Sequence, residues 1–163
     1  KRGFDVTVVE FRGRGHENFS DDVLRIFDWM NRKRRNFFPR EFTCNTMRPW
    51  DNYFWWVEVS GFPERVVVDP KNWPAPRGTR PMEVSGRISP SGSINVKTGG
   101  ERISVWLSPE LVDYTQNLKI KHNGRQVSLP DAYIEPKVAV ILEDVRTRGD
   151  RQHPFWSRVD FGR

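Results

Sequence analysis

The sequence has few of the residues that build cross-links and metal clusters. Its 163 residues include one cysteine, Cys44, and three histidines. An internal disulfide and a cysteine-rich zinc site are therefore excluded, and we predict no cofactor and no metal. No apolar run approaches the ~20 residues that a membrane-spanning helix needs, so we expect no membrane partner.

The charge is basic, but its distribution gives little support for nucleic-acid binding. Lys and Arg number 27 against 21 Asp and Glu, for a net charge of +6. The densest basic run, Arg32–Arg35, lies at the end of a predicted helix, where cations complement the helix dipole. The seven Trp and eleven Phe residues can fill a core, and some of them can face a partner.

The first 38 residues have the pattern of a strand, a loop and a helix. Asp5–Phe11 is β-branched and apolar on both faces, which is typical of a strand that is covered on two sides. Gly13 and Gly15 mark a loop. Ser20 is predicted to cap a helix that runs to about Lys33. The helix carries an apolar stripe at helical spacing: Val23, Leu24, Ile26, Phe27 and Met30.

The rest of the chain, residues 40–163, has short apolar runs separated by turn residues. We predict a mainly β (α+β) fold, an antiparallel β-sandwich of about seven to nine strands preceded by the strand, histidine loop and helix. Gly99-Gly100 indicates one hairpin, and Asn123-Gly124 indicates a type I′ hairpin turn. Strands are predicted at Glu41–Met47, Tyr53–Val59, Met82–Ile88, Ile94–Thr98, Ile103–Leu107, Leu118–His122, Gln126–Leu129 and Val138–Leu142.

Residues 1–38 resemble a known catalytic unit. The run from Val8 through Gly13-Arg14-Gly15-His16 to Phe27-Asp28-Trp29-Met30 resembles the last strand, catalytic-histidine loop and final helix of α/β-hydrolases, in the prolyl-oligopeptidase and esterase-like branch. The resemblance implies that His16 is a catalytic base, which takes a proton from a nucleophile and gives it to the leaving group. Met47–Trp56 and Arg146–Trp156 are similar to C-terminal regions of bacterial peptidases of this kind.

The nucleophile of such an enzyme is not in the sequence. No Gly-x-Ser-x-Gly elbow occurs in it, and the serine and the acid should precede the histidine in the chain. The sequence opens at Lys1 directly on a buried-strand pattern, and we expect it to be the C-terminal fragment of a serine peptidase or esterase. Residues 1–38 would belong to the hydrolase domain and residues 40–163 to an accessory β domain. Such a fragment should be inactive alone, its partner being the missing N-terminal catalytic domain and its substrate a peptide, an ester or a carbohydrate.

A second hypothesis from the sequence is a carbohydrate- or protein-binding β module without catalysis. Aromatic faces can stack on sugar rings, and the binding residues predicted here are Trp50, Trp55, Trp106 and His153. Core packing is the alternative for every tryptophan, and an ion-paired segment docked on the core is the alternative for His153. Cys44 is predicted to be a buried apolar thiol. Without neighbours, the strand at residues 5–11 should be disordered or should pair with a second copy, giving a dimer through residues 1–38.

Overall fold

The computed structural model describes residues 6–69, 71, 74–131 and 133–162 of the chain. It divides into two compact units, residues 1–35 and residues 36–163. The first unit contains one helix, α1 (Ser20–Asn31), among its described residues. The second contains nine strands and a second helix, α2 (Val138–Arg148), within its described ranges. Each unit is considered by itself below.

The strand predicted at the start of the first unit is not formed. Residues 6–11 have no regular secondary structure and are exposed, with Val8 84% exposed, while Asp5 lies outside the described residues. A strand needs a neighbour to receive its backbone hydrogen bonds, and no described residue pairs with this segment. Residues 6–11 therefore do not form the strand that their β-branched sequence predicts.

The predicted helix is confirmed, with a shift of about one residue at its start. Ser20 is the first helical residue of α1, and Phe19 occupies the N-cap without a side-chain hydrogen bond. At the other end, the Arg34 guanidinium donates to the Asn31 carbonyl oxygen at 2.8 Å. A cation at a carbonyl of the last turn is the arrangement expected for the basic run.

The second unit is built from two sheets. A five-stranded sheet has the order β1-β4-β5-β7-β8, and a four-stranded sheet has the order β2-β3-β6-β9. The strands are β1 (Glu41–Thr46), β2 (Tyr53–Phe54), β3 (Val57–Ser60), β4 (Met82–Ile88), β5 (Ile94–Thr98), β6 (Arg102–Leu107), β7 (Ile120–His122), β8 (Arg125–Gln126) and β9 (Ser157–Gly162). A short 3-10 helix spans Glu64–Val66.

One buried apolar cluster combines residues of both sheets. Trp56 is fully buried and meets the ring of Phe42 edge-on, with ring centroids 5.2 Å apart. The Trp56 indole nitrogen donates to the Pro39 carbonyl oxygen at 2.7 Å, so its polar atom is satisfied. Gly86 makes room for both rings, because a Cβ there would come within 2.5 Å of Phe42 and 2.7 Å of Trp56. This cluster anchors β1, β4 and the turn between β2 and β3.

The mainly β prediction is confirmed, but one strand pair departs from the antiparallel pattern. β5 and β7 run parallel, with Ile94 opposite Ile120. The Asn123-Gly124 turn is confirmed, since both residues have positive φ, +49° and +82°, as a type I′ turn requires. This turn joins β7 to β8.

A predicted hairpin is wrong, and one predicted strand is divided in two. Gly99-Gly100 does not close a hairpin, because β5 and β6 belong to different sheets. Gly100 is buried, and a Cβ there would collide with the Val59 side chain, so glycine allows the chain to cross between the sheets beside β3. The single strand predicted at Tyr53–Val59 is split into β2 and β3 by a turn at which Trp55 has φ +59°.

The last predicted strand, Val138–Leu142, is wrong as well, because these residues begin α2. Val138 and Leu142 are exposed, whereas Val140 packs against the core, so the alternating apolar residues do not share one buried face. Gly149 ends the helix in the left-handed conformation, φ +72°, and donates its N–H to the Val145 carbonyl oxygen. The sequence does indicate a helix C-terminus, with Arg146 and Arg148 followed by Gly149. The apolar alternation at Val138–Leu142 nevertheless favours a strand.

Candidate functional site

The histidine loop of the first unit is closed by contacts at its base. Phe11 and Phe19 stack with ring centroids 4.8 Å apart, which brings the two ends of the loop together. Arg14 and Glu17 form a double hydrogen bond at 2.5 and 2.6 Å. The Arg14 guanidinium also lies 5.6 Å from the centroid of the Phe19 ring. His16 sits between Arg14 and Glu17, on the loop that these contacts hold.

The His16 side chain is exposed, and no described residue contacts its ring through a hydrogen bond. The nearby carboxylate, Glu17, is engaged by Arg14, and this hydrogen bond holds the pKa of Glu17 below its ordinary value. A catalytic imidazole needs a carboxylate that orients one nitrogen and a nucleophile at the other. Among the described residues neither group reaches His16.

The apolar surface of the first unit is uncovered. The helix stripe is exposed at every described position, and so is the segment that precedes the loop. The exposed side chains are Val6, Val8, Val9, Val23, Leu24, Ile26, Phe27 and Met30. Amphipathic helices of globular proteins bury such a stripe, and contiguous exposed apolar surface marks an interaction site. The unit thus presents a loop histidine between two uncovered apolar segments.

The second unit has an open groove of about 800 Å³ between the ends of β1 and β2. Trp50 projects into it with 60% of its surface exposed. The other lining residues are Cys44, Asn45, Thr46, Met47, Arg48, Asp51, Asn52, Tyr53, Phe54 and Val68. Its size falls in the range of ligand pockets, about 300–1,000 Å³. The groove is therefore the second candidate site.

The loop that carries Trp50 is held by short-range polar contacts. The Thr46 hydroxyl accepts the Arg48 N–H at 3.2 Å, and the Asp51 N–H donates to the Arg48 carbonyl oxygen at 3.1 Å. The Arg48 and Asp51 side chains form an ion pair at 2.5 Å. These two charges neutralise each other, so the described lining of the groove carries no net charge.

Tyr53 and Asn52 connect the groove to the four-stranded sheet. The Asn52 amide donates to the Glu58 carboxylate at 3.5 Å, and that carboxylate accepts the Trp106 indole N–H at 3.2 Å. Burial, followed by the hydrogen bond with Glu58, raises the pKa of the Tyr53 phenol above its ordinary value. Tyr53 therefore stays a neutral hydroxyl at physiological pH.

The structure does not bring the four predicted binding residues together. Trp50 lies in the groove, and Trp55 lies at the turn between β2 and β3. Trp106 is only 2% exposed, so its predicted binding role is not supported, because no ring face is open to a ligand. His153 stacks on Phe37 with centroids 3.7 Å apart. Trp56 is in the core, and Trp73 lies outside the described residues.

His153 takes part in a packed polar segment, as its alternative assignment predicted. Its Nδ1 atom lies 3.3 Å from the Asp150 carboxylate, and its carbonyl oxygen accepts a hydrogen bond from Arg148 at 3.0 Å. The sequence predicts a buried Cys44, but the residue is only half-buried in β1. This partial burial raises the pKa of its thiol.

Sequence reasoning did not find Arg48, Asp51 and Asn52. The Pro49-Trp50-Asp51-Asn52 run is a turn signal that could have placed Trp50 outside the core.

The described residues contain no group of three or more His, Cys, Asp or Glu side chains placed to hold a metal ion. Neither α1 nor α2 has the length and apolar character for crossing a bilayer. Comparison of the chain with protein-family models, with curated proteins and with solved structures found no match. The arguments about function that follow therefore rest on the chain's own residues.

Proposed function

We propose that this chain is the C-terminal part of a serine hydrolase of the α/β-hydrolase type, a peptidase or an esterase, and that His16 is its general base. In this proposal the first unit completes the hydrolase domain. Residues 40–163 form an accessory β domain. The partner of the first unit is the catalytic domain that carries the nucleophile and the acid.

The observation that carries the proposal is the uncovered apolar surface on both sides of the histidine loop. In an α/β-hydrolase the last strand is buried between two layers and the last helix packs on the sheet. Exposure of Val8 on one side and of Ile26 and Met30 on the other is what these elements would show without that sheet. Burial of a valine or isoleucine side chain is worth about 1.5–3 kcal/mol, so covering this surface would bind the two parts strongly.

The loop itself supports the same function. The stacked Phe11 and Phe19 rings hold the loop ends together. The charged side chains on either side of His16, Arg14 and Glu17, form an ion pair with each other. The imidazole is thereby left exposed, with neither flanking charge engaging it. An imidazole in that position can accept the proton of a serine hydroxyl and then donate it to the leaving group.

The test uses the longer protein that this proposal requires. We expect its upstream sequence to contain a Gly-x-Ser-x-Gly elbow and an acid, and we expect the purified protein to hydrolyse p-nitrophenyl acetate and to react with a fluorophosphonate probe. His16→Ala should lower kcat by roughly 10⁴–10⁶-fold, as removal of a triad member does. Asn18→Ala, an exposed change in the same loop, is the matched control and should leave kcat unchanged.

Imidazole added to the His16→Ala protein separates a catalytic from a structural role. A base that transfers protons can be replaced in part by free imidazole, so some activity should return. The proposal is wrong if the upstream sequence lacks the serine elbow, or if His16→Ala and Asn18→Ala have the same activity.

A further inference from the structure

We propose that the groove between β1 and β2 is a binding site for a neutral carbohydrate chain, with Trp50 as the stacking platform. This inference goes beyond hydrolysis and does not depend on it, because every residue that carries it belongs to residues 36–163. The ligand class follows from three properties of the groove: its exposed aromatic face, its balanced charge and its hydrogen-bonding groups.

The aromatic face is the first property. Trp50 is 60% exposed although it lies in a groove, so its ring is accessible to a ligand there. A buried tryptophan normally gains a large area of apolar contact. The Arg48–Asp51 turn holds Trp50 out of the core, so Trp50 does not make this contact within the chain. The apolar C–H face of a pyranose ring can recover that contact, while its hydroxyl groups remain available for hydrogen bonds.

The charge balance is the second property. Arg48 and Asp51 form an ion pair at 2.5 Å, and they are the two charged residues of the described groove lining. A phosphate, a nucleic acid or a charged peptide would need an uncompensated charge of the opposite sign. A neutral ligand with many hydroxyl groups needs paired donors and acceptors, which this ion pair provides.

Neutral hydrogen-bonding groups are the third property. Asn45 and Asn52 add amide groups to the lining, whereas the Tyr53 phenol is engaged with Glu58. A few polar groups around an apolar platform are the usual composition of a small-molecule site. The groove volume of about 800 Å³ accommodates more than one sugar ring.

The experiment titrates the purified 163-residue chain with cellohexaose, xylohexaose, mannohexaose and chitohexaose by isothermal calorimetry, with tryptophan fluorescence as a second readout. We expect at least one of these neutral hexasaccharides to bind. Trp50→Ala should weaken that binding by about tenfold or more, as truncation of an aromatic anchor does. Trp156→Ala, which removes another exposed tryptophan outside the groove, should leave the affinity unchanged.

Salt dependence tests the charge argument separately. Affinity for a neutral chain should change by less than about twofold between 50 and 500 mM NaCl, because screening acts on net charge. Circular dichroism should show that both variants are folded. Absence of binding by all four sugars, equal affinity of the Trp50→Ala and wild-type chains, or binding of polygalacturonate instead would overturn the proposal. So would a wild-type dimer that Trp50→Ala converts to a monomer, since a second copy would then occupy the groove.

Discussion

Asp144 is completely buried in α2 and forms a two-pronged ion pair with Arg148, one helical turn further on, at 2.5 Å for both bonds. The same carboxylate accepts the Phe155 N–H at 2.9 Å. The Arg148 guanidinium lies 4.4 Å from the centroid of the Phe155 ring and also donates to His153. This carboxylate therefore ties α2 to the segment that leads into β9.

Asp144→Ala should lower the free energy of unfolding by roughly 3–5 kcal/mol, because it leaves a partly buried guanidinium and a buried N–H without their acceptor. Urea denaturation followed by tryptophan fluorescence measures the change. Glu143→Ala is the matched control, since it removes the neighbouring but exposed pair with Arg146 and should have a much smaller effect on stability. Equal losses in the two variants would contradict the role given to Asp144.

Gly86→Ala should destabilise the second unit by about 1–3 kcal/mol or more, the usual cost of overpacking. The added methyl group would lie 2.5 Å from a Phe42 ring atom and 2.7 Å from a Trp56 ring atom. Gly99→Ala is the control, because its Cβ would meet Met82 only at an ordinary 3.7 Å. Thermal unfolding of both variants tests this, and a Gly86→Ala protein as stable as Gly99→Ala would show that the two rings can move apart.

Asp150 should make stability depend on acid pH. Partial burial alone would raise its pKa, but hydrogen bonds from the Gln152 and His153 amides outweigh this and hold the pKa below its ordinary value. Because the folded pKa is the lower one, the stabilisation is complete above the unfolded value of about 3.9. It is lost as pH falls through the folded pKa.

Urea unfolding of the wild-type chain and of Asp150→Asn between pH 6 and pH 2 measures this effect. Asn keeps an acceptor oxygen but cannot titrate, so the wild-type chain should be the more stable at pH 6. The stability difference should shrink as the Asp150 carboxylate becomes protonated. A difference that stays constant down to pH 2 would show that Asp150 does not contribute through its charge.

Cys44 should react slowly with a thiol reagent in the folded chain. Burial raises the pKa of its thiol, and the thiolate is the reactive form, so the folded chain holds less thiolate at neutral pH than the unfolded chain does. Reaction with DTNB at pH 7.5 should be at least about tenfold faster in 8 M urea than in buffer. Since the chain has one cysteine, the signal belongs to Cys44 alone, and equal rates would mean that the thiol is not shielded.

Local patterns in the sequence were sufficient for several elements. The strand at Met82–Ile88 has alternating apolar residues and forms with those bounds. The Asn123-Gly124 turn and the helix at residues 20–31 were likewise predicted from residues a few positions apart. Such elements depend on neighbours along the chain, so the sequence contains most of the information that they need.

The errors arise where contacts between residues that are distant in the chain determine the local structure. Val138–Leu142 alternates like a strand but forms the start of a helix, whose buried Asp144 accepts the N–H of Phe155, eleven residues further along the chain. Gly99-Gly100 has the composition of a hairpin turn but crosses between sheets, because Val59 approaches Gly100 too closely for a side chain. Both outcomes depend on contacts between segments that local propensity does not describe.

The candidate sites divide in the same way. The sequence by itself determined the histidine loop and its helix as a candidate unit, and it identified Trp50 as a residue that could bind a ligand. Only the tertiary structure decided that Trp106 is buried while Trp50 is exposed, and that Arg48 and Asp51 share its groove. The physical reason is that the residue types show which side chains can stack or pair. The solvent accessibility of each aromatic ring depends instead on how separate strands pack around it.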